Sequence, residues 1–178
     1  MDFPFRKKKP DLDQAFVSLL EDHKEQLYRI AYSYVRNEHD ALEVIQDSVC
    51  KGYSSLTSLK KPEFMKTWFV RIVINTAISY SRKQKRTIPM DVTEDVTLDR
   101  EAPRADHAST TVEKLGLEQA LTLLRDKEKA IVLLRFFEDW KLDQIASTLD
   151  LPLNTVKSTL YRALKKMKIN LEEGFDHE

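Results

Sequence analysis

The sequence predicts an all-α protein: two small helical domains joined by a flexible linker, the C-terminal one a four-helix domain with a helix-turn-helix. Three observations lead there. Only three of 178 residues are Gly, and Leu, Lys, Glu and Ala are abundant, which argues against a β-sandwich or barrel. Apolar residues recur at helical spacing in several separate stretches. Between those stretches, Thr87 to Thr111 holds two prolines, scattered acids and no periodicity, a length of unstructured chain that is unusual inside one compact domain. The expected layout is a basic arm over 1–10, a first domain over 11–88, an acidic linker over 89–112 and a second domain over 113–178.

In the first domain, Asp11 to Asp13 suit a helix N-terminus, where acidic side chains oppose the helix dipole. Phe16, Leu19, Leu20, Leu27, Ile30, Ala31, Tyr34 and Val35 then supply an apolar face over several turns. Arg36 to His39 interrupt it, and Asp40 is a good N-cap for a second helix. There the spacing puts Leu42, Ile45, Val49 and Tyr53 on one face, with Ala41, Val44 and Ser48 close by. Asp40, Glu43, Gln46, Asp47 and Lys51 line the other face, by default a solvated one. Ser54 to Pro62 reads as a polar loop. From Glu63 a third helix is densely apolar through Phe64, Trp68, Ile72, Val73, Ile74 and Ala77. It ends on Arg82, Lys83, Lys85 and Arg86, favourable at a helix C-terminus and available to phosphates. Asn75 lies in the middle of the apolar run, where a polar side chain is expected to be hydrogen-bonded in the core.

The second domain is expected to open with a helix over Val112 to Leu124 and another over Lys127 to Phe137, capped by Asp126. Trp140 to Met167 is the most informative stretch of the chain. Leu142, Ile145, Ala146 and Leu149 form one apolar stripe, and Asp150-Leu151-Pro152 breaks it. Pro152 lacks a backbone donor and so suits a helix start. In the next helix Val156, Leu160, Leu164 and Met167 make the expected buried stripe. Asn154, Thr155, Lys157, Ser158, Tyr161, Arg162, Lys165 and Lys168 then face outward. A short helix, a tight turn and a polar, basic second helix is the layout of a helix-turn-helix, whose second helix fits the major groove. Glu172 to Glu178 reads as a fraying acidic tail.

Composition narrows the function classes. Hydrophobic residues make up 42% and charged residues 33%, as in a soluble helical protein. Cys50 is the sole cysteine, so no internal disulfide forms and a reducing compartment fits. There is no long uncharged apolar run, and MDFPFRKKKP lacks the apolar core of a signal peptide, so the expectation is a cytoplasmic protein. The four histidines are too scattered for a zinc site and no Gly-rich phosphate loop is present, so no metal, cofactor or catalytic residue is expected. Net charge is zero, but residues 87–112 hold six acidic against two basic side chains. Phosphate neutralisation supplies most non-specific DNA affinity, so this distribution suits a protein that another molecule brings to DNA.

Together these stretches resemble an ECF (extracytoplasmic-function) sigma factor of bacterial RNA polymerase, from about Phe16 to Leu171. The run Asp40-Ala41-Leu42-Glu43-Val44-Ile45-Gln46-Asp47-Ser48-Val49 is similar to the family's D-A-E-D-L-V-Q-E-T-F helix, with Leu42 in place of an acid. Phe64, Trp68, Phe69, Arg71, Ile72 and Asn75 match F-x-x-W-L-x-R-I-A-x-N. Thr155 to Ala163 match T-V-K-S-R-L-x-R-A, with Thr159 in place of arginine, which would remove one contact to DNA. The resemblance implies a transcription initiation factor rather than an enzyme, with the first domain as sigma domain 2 and the second as sigma domain 4. It implies contact of Asp40, Glu43, Gln46 and Asp47 with the β′ clamp helices of core RNA polymerase, and of domain 4 with the β flap. It further implies −10 promoter recognition by Trp68, Arg71, Asn75, Arg82, Lys83, Lys85 and Arg86. A flipped base would be held by Asn75 and the Ser54–Lys61 loop. Recognition at −35 falls to Asn154, Thr155, Lys157, Ser158, Tyr161, Arg162 and Lys165. The linker would thread the RNA exit region, and a membrane-anchored anti-sigma factor would hold the protein until an envelope signal arrives. The alternative is a conventional helix-turn-helix repressor or activator whose residues 11–86 sense a ligand or dimerise. The acidic linker and near-neutral second domain weigh against it.

Overall fold

The computed structural model describes residues 10–87 and 119–175, with side chains over 12–86 and 119–168. The expected arm (save Pro10), the acidic linker and most of the Val112–Leu124 helix lie outside the described residues. The chain divides into two compact units, Met1–Ser81 and Arg82–Glu178. All regular structure among the described residues is helical, in keeping with the expected fold class.

The first unit begins with α1 (Pro10–Val35), followed by α2 (Glu38–Ser55). Arg36 closes α1 in the left-handed region at φ 61° while its amide still reaches Tyr32 O at 2.8 Å. Asn37, not Asp40, is the N-cap of α2: its side-chain oxygen accepts the Asp40 amide at 2.8 Å. Asp40 therefore sits one turn later than expected, with its carboxylate also bonded by the Asn37 amide. Two 3-10 turns, Leu56–Ser58 and Pro62–Phe64, lead into α3 (Met65–Thr87). Ser54 and Ser55 belong to α2, and Leu56 is buried, so the expected loop is shorter and better anchored than its composition suggested.

The core of this unit is aromatic. Phe16 meets Phe69 edge-on at 5.0 Å between ring centres and 89°, with Trp68 at 6.4 Å and Tyr53 at 6.5 Å. Full burial of each phenylalanine contributes about 1.5–3 kcal/mol. The rings decide which face of α2 turns inward. The buried residues are Ala41, Val44, Ser48 and Gly52, whereas Leu42 and Tyr53 are each 47% exposed. A Cβ at Gly52 would lie 2.7 Å from Phe69 Cε2 and 3.0 Å from Phe16 Cζ. The helix thus presents its smallest side chains to the largest rings, and the expected Leu42–Ile45–Val49–Tyr53 stripe is turned away by about one residue of helical rotation. In α3 the buried set is Met65, Phe69, Val70, Val73, Ile74, Thr76 and Ala77, while Phe64 and Asn75 are exposed.

In the second unit, residues 119–122 are helical and precede α4 (Asp126–Val132). Arg125, not Asp126, is the N-cap, and the Glu128 carboxylate accepts its amide at 3.0 Å. The helix widens into a π turn over Leu133–Phe137, closed by Glu138 N to Leu133 O at 3.2 Å. Leu133 and Leu134 stay inside while Phe136 and Phe137 are carried out. Then come α5 (Leu142–Leu149) and α6 (Leu153–Phe175), so backbone helix continues through much of the expected fraying tail. Asp150 ends α5 at φ 54°. Leu151 N reaches back to Ala146 O at 3.0 Å, and Val156 N bonds Pro152 O at 3.1 Å, making the tight break between α5 and α6. The buried side of α6 is Val156, Thr159, Ala163 and Met167, so Leu164 is exposed and Leu160 only half-buried, against expectation. No described helix is long and apolar enough to cross a membrane.

Candidate protein and nucleic-acid interfaces

On α2, Glu43, Gln46 and Asp47 are exposed, while the Asp40 side chain is only 13% exposed. Tyr80, four turns into α3, explains the difference. Its hydroxyl donates to Asp40 Oδ1 at 2.9 Å and to Glu43 Oε2 at 2.6 Å. The Glu43 hydrogen bond, followed by burial and Asp40, pushes the phenol well above the ordinary tyrosine range, so it keeps its proton at neutral pH. Further along the helix, Lys51 Nζ pairs with Asp47 at 2.7 Å and reaches Thr76 Oγ1 at 3.3 Å. Three of the four residues expected to meet polymerase are thereby tied to α3, directly or through Lys51. Asp47 and Lys51 are an i,i+4 pair on one helix face and so legible in the sequence, whereas Tyr80 and Thr76 are brought to this face only by the tertiary pairing of α2 with α3. His39, Asp40 and Glu43 bring possible metal-ligating atoms within 4.8 Å of one another, but their carboxylates are already engaged by Tyr80 and Asn37.

The outer face of α3 carries Arg71, Asn75, Arg82, Lys83, Lys85 and Arg86, all exposed. Asn75 is a surface residue rather than a core hydrogen-bonding group, because positions 73, 74, 76 and 77 take the buried arc. Trp68, expected on the same surface, is half-buried, with its ring 6.4 Å from both Phe16 and Phe69. Phe64 takes the exposed aromatic position instead: it is 52% exposed, and Lys61 Nζ stands 5.7 Å from its ring centre. Pro62, which starts a new turn before α3, is the sequence signal that could have separated Phe64 from the core stripe.

On α6, Asn154, Thr155, Lys157, Ser158, Tyr161, Arg162 and Lys165 all face solvent, and Tyr161 is 73% exposed. Thr159 is buried, so its replacement of arginine is a packing matter; its hydroxyl accepts a hydrogen bond from Arg162 Nη2 at 3.3 Å. The helix is fixed from behind by Lys166, whose Nζ lies 2.8 Å from both carboxylate oxygens of buried Glu128. Burial alone would raise the Glu128 carboxyl, but Lys166 and the Arg125 amide outweigh it and hold it below the usual range.

The family model for Sigma-70 region 2 matches residues 19–87, and that for Sigma-70 region 4 matches residues 114–167. RNA polymerase sigma factor SigV of Bacillus subtilis is 43% identical over 93% of this chain and 96% of its own length. ECF RNA polymerase sigma factor SigW of the same organism is 26% identical over 93% of each chain. Among solved structures, the sigma factor RpoE in complex with the anti-sigma factor NepR from Bartonella quintana shares the fold. Its TM-score is 0.68 at 19% identity, covering 92% of this chain and 98% of that one. The ordered pair of region 2 and region 4, and the SigV likeness along nearly the whole length, replace the repressor alternative. The chain belongs to the ECF sigma factors of the sigma-70 family, the alternative sigma factors of bacterial RNA polymerase.

Proposed function

We propose that this sigma factor docks on the β′ clamp helices of core polymerase through the α2 face around Asp40, Glu43, Gln46 and Asp47. In the same reading α3 and the Ser54–Lys61 loop engage the −10 element, and α6 reads the −35 element. The observation that carries it is the joint exposure of three polar helix faces, each in the region whose family model it matches. On α6, Lys157, Arg162 and Lys165 supply phosphate and base-edge contacts, with Asn154, Thr155 and Ser158 at the helix N-terminus entering the groove first. On α3, Asn75 and Arg71 face outward, and Phe64 in the turn before the helix is an exposed ring able to stack an unstacked base. Trapping that base offsets an unstacking cost of about a few kcal/mol, so promoter opening is driven by binding and the chain performs no catalysis itself.

The domain boundaries follow as 11–88 for promoter opening and 113–178 for −35 reading and the β flap, with the acidic segment 89–112 entering the RNA exit region. Control by an anti-sigma factor, anchored in the membrane and released by an envelope stress, is part of the proposal. The anti-sigma complex of the RpoE neighbour supports the regulatory part of it. The site of action is the cytoplasm.

Transcription in vitro from a promoter library, with and without bacterial core polymerase, tests this reading. The expected result is polymerase-dependent start sites that share two spaced motifs. Binding to a palindromic site without polymerase, and no new starts with it, would overturn it.

A further inference from the structure

Resting on the reading of α2 as the polymerase-docking face, we propose that Tyr80 is a positioning residue: from α3 it holds Asp40 and Glu43 in the geometry that core polymerase meets. The phenol has one proton and two carboxylate acceptors, at 2.9 and 2.6 Å, so it holds both oxygens near a single point. Asn37 anchors the other oxygen of Asp40. One turn earlier on α3, Thr76 receives Lys51, which also holds Asp47 at 2.7 Å. Two polar clasps thus run along the α2–α3 seam, and each ends on an acid of the candidate docking face.

Exposed glutamate and aspartate side chains lose rotamer freedom when they dock, and side chains already held in place lose less. The clasp has a second consequence, because α3 is also the helix that carries Asn75 and Arg71 outward. A carboxylate drawn toward polymerase pulls on Tyr80, and so the docking face and the DNA face keep one register.

The test uses the full chain and purified bacterial core polymerase, with affinity measured for Tyr80→Phe, for the double variant Asp40→Ala/Glu43→Ala, and for all three together. Tyr80→Phe removes only the hydroxyl and is expected to weaken binding about fivefold. In the double-alanine background the same change should have no effect, since its acceptors are gone. A Tyr80→Phe loss that persists there would show a packing effect and overturn the proposal. Unchanged or tighter binding by Tyr80→Phe, with weakened binding by the double-alanine variant, would overturn positioning but leave the docking face intact. Full affinity in the double-alanine variant would remove Asp40 and Glu43 from the docking face, and the proposal with it. Thermal melting followed by circular dichroism reports the fold of each variant independently of polymerase.

Discussion

The α2 face of the first unit and the α6 face of the second are both polar surfaces on amphipathic helices, yet they are held differently. On α2 the acids are bonded across to a neighbouring helix through Tyr80 and Lys51. On α6 two outward side chains bond within their own helix: Ser158 Oγ donates to Thr155 O at 3.1 Å, and Arg162 to Thr159. What is fixed in the second unit is the helix itself, from its back, by Glu128 and Lys166. Under the docking and DNA-reading roles proposed for the two faces, short acids that meet a folded protein surface profit from being preset. Long basic side chains that follow a phosphate backbone can order on contact, because their charge attraction tolerates several geometries.

The largest way to break the comparison is to remove the first unit's core. Phe69→Ala is expected to cost about 3–5 kcal/mol in that unit's stability, since it removes a fully buried ring from the aromatic cluster. A urea titration of the residue 10–87 signal, with the residue 119–175 signal as internal control, checks it. Gly52→Val should cost about 1–3 kcal/mol, because its side chain must displace Phe69 and Phe16; melting of the full chain reads this out. Arg162→Ala and Lys157→Ala are each expected to weaken −35 recognition by about 1–3 kcal/mol if they touch a base. Promoter binding by the assembled holoenzyme, against a −35 mismatch series, measures the effect without involving either core.

The smallest effect sharpens the second half of the comparison. Glu128→Gln should destabilise the second unit by about 1–2 kcal/mol, a figure reduced because Lys166 is partly in water. The sign with pH follows from the lowered carboxyl. Its stabilisation is fully present above the ordinary glutamate value of 4.5 and is lost as pH falls through the lower folded value. Acid titration of stability should therefore be shallower in Glu128→Gln than in the parent chain below about pH 4.5. Equal slopes would mean that the Glu128–Lys166 pair does not stabilise the folded unit.

Much of the exposure pattern of the candidate site residues was legible from residue type and order. The basic and polar residues of α6 appear outside as expected, because Pro152 fixes the helix start and the charged side chains cannot be buried unpaired. Phe64, Asn75 and Thr159 were misplaced for a common reason. An aromatic, an amide and a hydroxyl are each tolerated on either side of a helix, and only the neighbours decide. The caps at Asn37 and Arg125 were missed by one or a few positions, since several adjacent polar residues could each have begun the helix.

By itself the sequence determined that the chain is helical, where the helix-turn-helix lies, and, through the order of its motifs, the family. Those depend on local propensity, on helical periodicity and on charges that stay in water. The tertiary structure alone decided the rotation of α2 about its axis. Judged by hydrophobicity, Leu42, Ile45, Val49 and Tyr53 should have gone inside; the buried set is instead Ala41, Val44, Ser48 and Gly52, with Gly52 set against the rings. The space beside Phe16 and Phe69 was already full, and in a close-packed interior the steric cost of a larger side chain exceeds what its burial would contribute.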